Sequence, residues 1–246
     1  MKAMILAAGR GERMRPLTDA CPKPLLAVAG RALIARQIDA LRVGGITDIV
    51  INTAWLGSKL VDALGDGRDF GVTIAWSHET EALETGGGIA TALALLGAAP
   101  FIAVSGDVYA EYDYAGLVAR APALIGDARD VHLVLVPNPE FHPAGDFGMA
   151  DGRLARRSAN APAFTFGNIG LYHPRLFAGR VPNTRFRLLD LYLAAIDAGR
   201  AGAELFGGVW HNLGTPEQLA ALDRELAHRA ASPAESTPEL APRRPA

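Results

Sequence analysis

Short apolar runs at residues 3–7, 48–52, 72–76, 101–105 and 131–136 alternate with segments of helical period, and this alternation limits the folds open to the chain. The helical segments are residues 34–43, 56–64 and 88–96; in the first, Ile34, Ile38 and Leu41 fall on one face. Strands separated by helical crossovers line up mostly parallel in a sheet covered on both faces. The spacing therefore predicts a doubly wound α/β architecture with a mostly parallel, mixed sheet. From Pro137 the texture changes to turn-rich sequence, a short segment at 147–150 and a β-like run at 164–172, which predict a small β-rich insertion covering one side of a pocket. Helical period returns at 188–198 and at 216–227, where Thr215 is placed to cap and Pro216 to occupy the first helical position. Residues 229–246 are rich in Ala, Pro, Ser and Glu and read as a disordered tail.

Composition narrows the function. Half of the 246 residues are hydrophobic and 20% are charged, which supports a packed core and excludes a disordered or fibrous chain. A net charge of -2 removes the electrostatic case for a nucleic-acid or anionic-membrane partner. A lone cysteine, Cys21, makes neither an internal disulfide nor a cysteine-rich metal site, so a reducing, cytoplasmic compartment is expected. No apolar run approaches the roughly 20 residues that span a bilayer. The N-terminal run turns glycine-rich before a secretory core is complete, so it reads as a buried strand. The histidines at 78, 132, 142, 173 and 228 lack ligand spacing, Cys21 lacks a base partner, and no Gly-x-Ser-x-Gly elbow is present. Zinc chemistry and a covalent nucleophile are thereby disfavoured.

Chemistry concentrates after the first strand, in Leu6-Ala7-Ala8-Gly9-Arg10-Gly11-Glu12-Arg13-Met14-Arg15-Pro16-Leu17-Thr18 and then Cys21-Pro22-Lys23-Pro24-Leu25-Leu26. Glycines at 9 and 11 permit unusual backbone angles and expose amides that can wrap triphosphate oxygens. Neither a Walker loop nor a dinucleotide fingerprint fits, since no Gly-Lys-Ser/Thr follows and the third glycine is missing. Arg13 offers a planar fork to phosphate and Lys23 a compact point charge. Lysine occurs only at 2, 23 and 59 among 24 Lys and Arg residues, so Lys23 hints at a requirement that arginine does not meet. Taken alone, a Gly-x-Gly pair reads more readily as a plain turn with solvated arginines beside it. Asp107 follows the apolar residues 101–104 at a strand's carboxyl edge, where open α/β sheets place ligands and a carboxylate can hold Mg²⁺. In the segment 77–88, Glu79 or Glu84 can accept the N3–H of uracil or thymine or the N1–H of guanine, but finds no such hydrogen on cytosine. Each glutamate also reads as a solvated loop residue.

The whole string resembles the nucleotide-sugar pyrophosphorylases, or sugar-phosphate nucleotidyltransferases, whose opening motif is Gly-x-Gly-x-Arg, Pro-Leu-Thr and Lys-Pro-Leu. The resemblance runs from Lys2 to about Leu226. Within that family, Trp55-Leu56-Gly57, Leu83-Glu84-Thr85-Gly86-Gly87-Gly88 and Ser105-Gly106-Asp107-Val108 are similar to members that join UTP to N-acetylmuramate α-1-phosphate in peptidoglycan recycling. The resemblance implies one Rossmann-like domain over 1–228, with a nucleotide-binding part at 1–136 and a sugar-phosphate-binding part at 137–228. It implies nucleotide contacts at Ala7, Ala8, Gly9, Gly11, Arg13, Lys23, Glu79, Glu84, Thr85 and Gly86, with Arg13, Lys23 and Asp107 catalytic. On the sugar side it implies Ser105, Gly145, Asn168 and Asn212, and for Mg²⁺ it implies Asp107 and Asn212.

Departures from the family pattern are also readable. The second metal residue of the family is the aspartate of a Trp-x-Asp-x-Gly-Thr string; this chain has Trp210-His211-Asn212-Leu213-Gly214-Thr215. A carboxamide oxygen ligates Mg²⁺ without charge, so weaker metal binding is expected, and His211 reads as structural. Many members hold the sugar phosphate with the lysine of a Glu-Lys-Pro segment, which is missing between Asp151 and Ala163, leaving Arg153, Arg156 and Arg157 as stand-ins. The implied reaction is attack of a sugar-1-phosphate oxygen on the α-phosphorus of UTP with loss of pyrophosphate. The opening motif equally suits glucose or mannose 1-phosphate with dTTP, UTP or GTP, and the departures would suit a regulatory module that binds a nucleotide sugar without turnover.

Overall fold

The structure is a computed structural model that describes residues 1–125 and 129–231. Its first half comprises β1 (Lys2–Leu6), α1 (Leu17–Ala20), β2 (Ala27–Val28), β3 (Arg31–Ala32), α2 (Leu33–Val43), β4 (Asp48–Thr53), α3 (Gly57–Leu64), β5 (Thr73–His78), α4 (Glu84–Leu96) and β6 (Phe101–Ser105). There follow β7 (Val108–Ala110), α5 (Tyr114–Val118), α6 (Pro122–Ile125), β8 (Val131–Val136), β9 (Phe147–Ala150), β10 (Arg153–Arg156) and β11 (Ala163–Tyr172). The described chain ends with α7 (Leu189–Asp197), β12 (Ala201–Leu205), β13 (Trp210–Asn212) and α8 (Pro216–Ala231). No described helix is long and apolar enough to cross a membrane.

A nine-stranded sheet runs in the order β5-β4-β1-β6-β11-β8-β12-β10-β9. The first four strands are parallel, and their register places Leu6 beside both Asn52 and Ser105, so their carboxyl ends form one edge. β11 then runs antiparallel to β6 and β8, β8 and β12 are parallel, and β9 and β10 close an antiparallel corner that also touches the start of β11. The sheet is thus parallel from β5 to β6 and mixed beyond β6.

Alternation along the strands divides the core between the two faces. Ile5 and Ile51 join Ile34, Ile38 and Leu41 of α2 on one face, whereas Met4 and Val50 join Ile89 of α4 and Leu191 of α7 on the other. Each fully buried side chain of this size contributes about 1.5–3 kcal/mol, so the two-sided apolar pattern of β1 holds both helix layers to one strand. At the start of α8, Thr215 Oγ1 accepts the Gln218 N–H at 3.4 Å, and Gln218 Oε1 accepts the N–H groups of Gly214 and Thr215 at 2.6 and 3.1 Å. The helix continues to Ala231, past the boundary expected at His228; residues 232–246 of the expected tail lie outside the described residues.

Residues 183–187 form a strap over the first turn of α4. The Gly87 N–H donates to the Phe186 carbonyl at 3.2 Å, the Phe186 N–H to the Leu83 carbonyl at 3.2 Å, and the Asn183 N–H to Thr91 Oγ1 at 2.8 Å. A Cβ on Gly87 would stand 2.3 Å from the Thr184 carbonyl oxygen, and one on Gly86 2.5 Å from the Phe186 ring, so this glycine run exists to let the strap approach. Gly87→Ala is expected to destabilise the fold by about 1–3 kcal/mol through overpacking, read as a lowered denaturant midpoint with an unchanged slope.

Candidate active site

The carboxyl edge of β1 is held by a chain of buried polar groups. The Ala7 N–H donates to Asn52 Oδ1 at 2.8 Å, Asn52 Nδ2 donates to Glu79 Oε1 at 2.6 Å, and the Leu83 N–H donates to Glu79 Oε2 at 3.0 Å. Asn52 and Glu79 are both buried. Burial pushes the Glu79 carboxyl above its usual range, partly offset by the donors from Leu83 and Asn52. This brace ties the ends of β1, β4 and β5 to the start of α4. Glu79 therefore spends both oxygens on the protein, although it still lines the cleft beside it.

The glycine-rich loop closes onto this edge. Gly11 adopts a left-handed φ of 66°, and its carbonyl accepts the Thr18 hydroxyl at 2.8 Å and the Met14 N–H at 2.9 Å. A Cβ there would meet Thr18 Cγ2 at 2.9 Å and Lys23 Cβ at 3.2 Å, so glycine permits both the turn and the approach to Lys23. Gly9 differs from the sequence expectation, because it lies outside the positive-φ region and faces open space. Its value is an unobstructed backbone toward the cleft. Trp55 and α3 anchor the far side of the loop: the Arg10 guanidinium stacks 4.5 Å over the Trp55 ring, whose Nε1 donates to the Thr18 carbonyl at 3.2 Å, and Lys59 Nζ donates to the Ala20 carbonyl at 2.5 Å.

Lys23, about nine-tenths buried, extends to Asp107, with Nζ 2.5 Å from Oδ2. Asp107 Oδ1 accepts the Ser105 hydroxyl at 2.7 Å. Two backbone bonds fix this aspartate beside β1, from the Gly106 N–H to the Leu6 carbonyl at 2.9 Å and from the Leu213 N–H to the Asp107 carbonyl at 3.1 Å. Pairing of β13 with β7 sets Asn212 opposite Val108, the residue after Asp107, so β13 and the turn that follows it lie beside the same edge. Arg13 reaches that turn too, its Nη1 lying 3.3 Å from where a Gly214 Cβ would stand.

These elements enclose a cleft of about 520 Å³. It gathers Ala7, Ala8, Gly9, Gly11, Arg13 and Lys23 from the loop region, Glu79, Glu84 and Thr85 around the start of α4, and Ser105, Asp107 and Asn168 from the strand edges. Asn168 sits with φ 56° at a bulge of β11, between the paired residues Phe166 and Ile169, a device that re-aims a side chain. The structure does not bring Gly86, Gly145 or Asn212 into this lining. Gly86 lies under Phe186, and Gly145 occupies a left-handed turn whose carbonyl accepts Arg157 Nη1 at 3.3 Å. The other two stand-in arginines are also engaged elsewhere, Arg153 on the Gly199 carbonyl and Arg156 in a two-point pair with Asp197. Sequence reasoning missed Asn52, Phe166, Tyr172 and Arg185 in the cleft. Asn52 carried a signal, a polar residue closing an apolar strand beside β1, whereas Arg185 belongs to a loop without pattern. Chemically, exposed loop amides, two cations and one carboxylate at a strand edge suit the binding of a phosphate chain and stabilisation of charge on it.

Residues 2–157 match the family model described as nucleotidyl transferase. The chain is 45% identical over 217 residues, 87% of its length and 94% of the relative, to an N-acetylmuramate alpha-1-phosphate uridylyltransferase of Neisseria meningitidis serogroup B. It is 36% identical over 235 residues, 92% of its length and 96% of the relative, to the protein of the same name from Caulobacter vibrioides. Its fold is similar, at a TM-score of 0.80 and 21% identity over 92% of this chain and 94% of the other, to a Bacillus anthracis protein described as a glucose-1-phosphate thymidylyltransferase and solved with sucrose. With glycine loop, Lys23–Asp107 edge and matches over most of its length in agreement, the chain belongs to the nucleotidyl transferase family.

Proposed function

We propose that the protein transfers the uridylyl group of UTP to N-acetylmuramate α-1-phosphate, giving UDP-N-acetylmuramate and pyrophosphate. The observation that carries the chemistry is the Lys23–Asp107 pair, its lysine buried, in one cleft with the glycine loop after β1. The names of the two long relatives support the choice of base and acceptor. An oxygen of the sugar phosphate attacks the α-phosphorus of UTP, a new P–O bond forms, and the bond to the bridging oxygen of pyrophosphate breaks. The attacking phosphate is already ionised, so no general base is required, and catalysis rests on positioning and charge stabilisation. Arg13 and the amides of residues 9–11 would steady the β- and γ-phosphates, and Lys23 the α-phosphoryl group and the sugar phosphate. Ser105 keeps Asp107 oriented through its hydroxyl.

The donor set fits Mg²⁺. Asp107 offers a hard carboxylate at the strand edge, and Asn212, outside the cleft lining, pairs with Val108, the residue after it. No cluster of three or more His, Cys, Asp or Glu suited to a metal occurs among the described residues, and Mg²⁺ generally draws most of its ligands from water and substrate phosphates. When bound, the ion would neutralise charge on the triphosphate. Because Asn212 brings no charge, Asp107 is the main protein ligand in this reading.

Lys23→Ala is expected to lose on the order of 3–4 kcal/mol of transition-state stabilisation, about 10²–10³-fold in pyrophosphate release with UTP and N-acetylmuramate α-1-phosphate. Near-normal turnover would refute the assignment. Crossing the four nucleoside triphosphates with muramate, glucosamine, glucose and mannose 1-phosphates tests base and acceptor. Asn212→Asp should lower the half-saturating Mg²⁺ concentration in a metal titration of turnover; an unchanged or higher value counts against Asn212 as a ligand.

A further inference from the structure

We infer that Arg185 selects acidic acceptors by pairing its guanidinium with a carboxylate on the sugar, an inference that rests on the acceptor proposed above. N-acetylmuramate α-1-phosphate carries two anionic groups, the phosphate at C1 and the carboxylate of its lactyl ether at C3. Arg13 and Lys23, with the loop amides, account for phosphate. Arg185 is the remaining cation among the described lining residues, and the roles given above to Arg13, Lys23 and the loop amides leave it unassigned.

The position is built rather than incidental. Arg185 comes from the strap over α4, whose backbone is held by the hydrogen bonds of Asn183 and Phe186, so its Cα is fixed while its side chain, 68% exposed, stays free to meet a ligand. It lines the cleft together with Phe166, Asn168 and Tyr172 of β11, away from the glycine loop in the sequence. Its one protein partner in the cleft is Glu84, with Nη2 donating to Oε1 at 2.8 Å. Glu84 itself holds a left-handed φ of 61°, a conformation that costs a non-glycine residue free energy and that glycine adopts freely. A glutamate kept in that conformation at a cleft points to use of its side chain. Glu84 orients the guanidinium and shields its charge when the cleft is empty, while the remaining N–H groups of Arg185 have no protein partner among the described residues. A planar fork with free donors matches a carboxylate, whereas a neutral sugar offers it only hydroxyls.

The test measures, by calorimetry with Mg²⁺ and a non-hydrolysable UTP analogue, the affinities for N-acetylmuramate α-1-phosphate and for N-acetylglucosamine α-1-phosphate, the same sugar with a free C3 hydroxyl in place of the lactyl ether that carries the carboxylate. The wild-type protein should favour the acidic sugar, Arg185→Ala should cut that preference about tenfold, as expected for loss of a charge-assisted hydrogen bond, and Arg185→Lys should keep part of it. A preference unchanged in Arg185→Ala, including one where both affinities fall together, overturns the inference alone. A wild-type protein with no preference for the acidic sugar overturns the acceptor reading and this inference with it, and is seen before any variant is made.

Discussion

The pair of buried Lys23 and half-buried Asp107 is the contact on which the site depends. An ammonium about nine-tenths removed from water costs several kcal/mol unless a counter-charge stands within reach. That counter-charge exists only because β6 lies beside β1 in a register that sets Ser105 next to Leu6, with Asp107 two residues further on. Lys23 in turn reaches Asp107 because the chain turns at Gly11 and then enters the short helical turn Lys23–Leu25, in which Lys23 is flanked by Pro22 and Pro24. Sheet register, loop conformation and charge pairing are thus one constraint. A phosphate chain entering the cleft would find a cation already desolvated and oriented, which is the condition under which a charge contributes most to a phosphoryl transition state.

Around this pair the molecule divides its surroundings into rigid and adaptable parts. The brace of Asn52 and Glu79 is buried and fully hydrogen-bonded, so it fixes the spacing of three strand ends and the first turn of α4. The Glu84–Arg185 pair is exposed and weakly worth in itself, as surface ion pairs are. Its backbone supports, by contrast, are tight: Gly86 and Gly87 admit the strap at distances no side chain would tolerate. A rigid frame that presents an exposed charged group is well suited to recognising the variable end of a substrate, and in the function proposed above the loop and the Lys23–Asp107 edge are left to the phosphates.

Much of this was legible before any coordinates. The runs at 3–7, 48–52, 72–76, 101–105 and 131–136 became β1, β4, β5, β6 and β8, because two-sided burial demands continuous apolar residues that leave a clear mark. Strands β10 and β12 left none. Arg153-Leu154-Ala155-Arg156 and Ala201-Gly202-Ala203-Glu204-Leu205 have little β propensity, and β12 is a strand because β8 and β10 lie on either side of it. The cleft followed the same division. Loop, lysine and aspartate stood in a contiguous motif or at a strand end, whereas Asn52 and Arg185 enter from segments far from it in the chain.

Sequence by itself determined the parallel half of the sheet, the glycine-rich turn after its first strand and the two charges that the turn presents, since each rests on local patterning or on residues close together in the chain. Only the tertiary structure decided that Glu79 serves as a brace, that Gly86 supports the strap and that Gly145, Arg153, Arg156 and Arg157 lie away from the cleft. It likewise decided that Arg185 lies within it. The reason is that a side chain's partners are set by which distant segments the register and packing bring beside it, and one-dimensional spacing carries no record of that proximity.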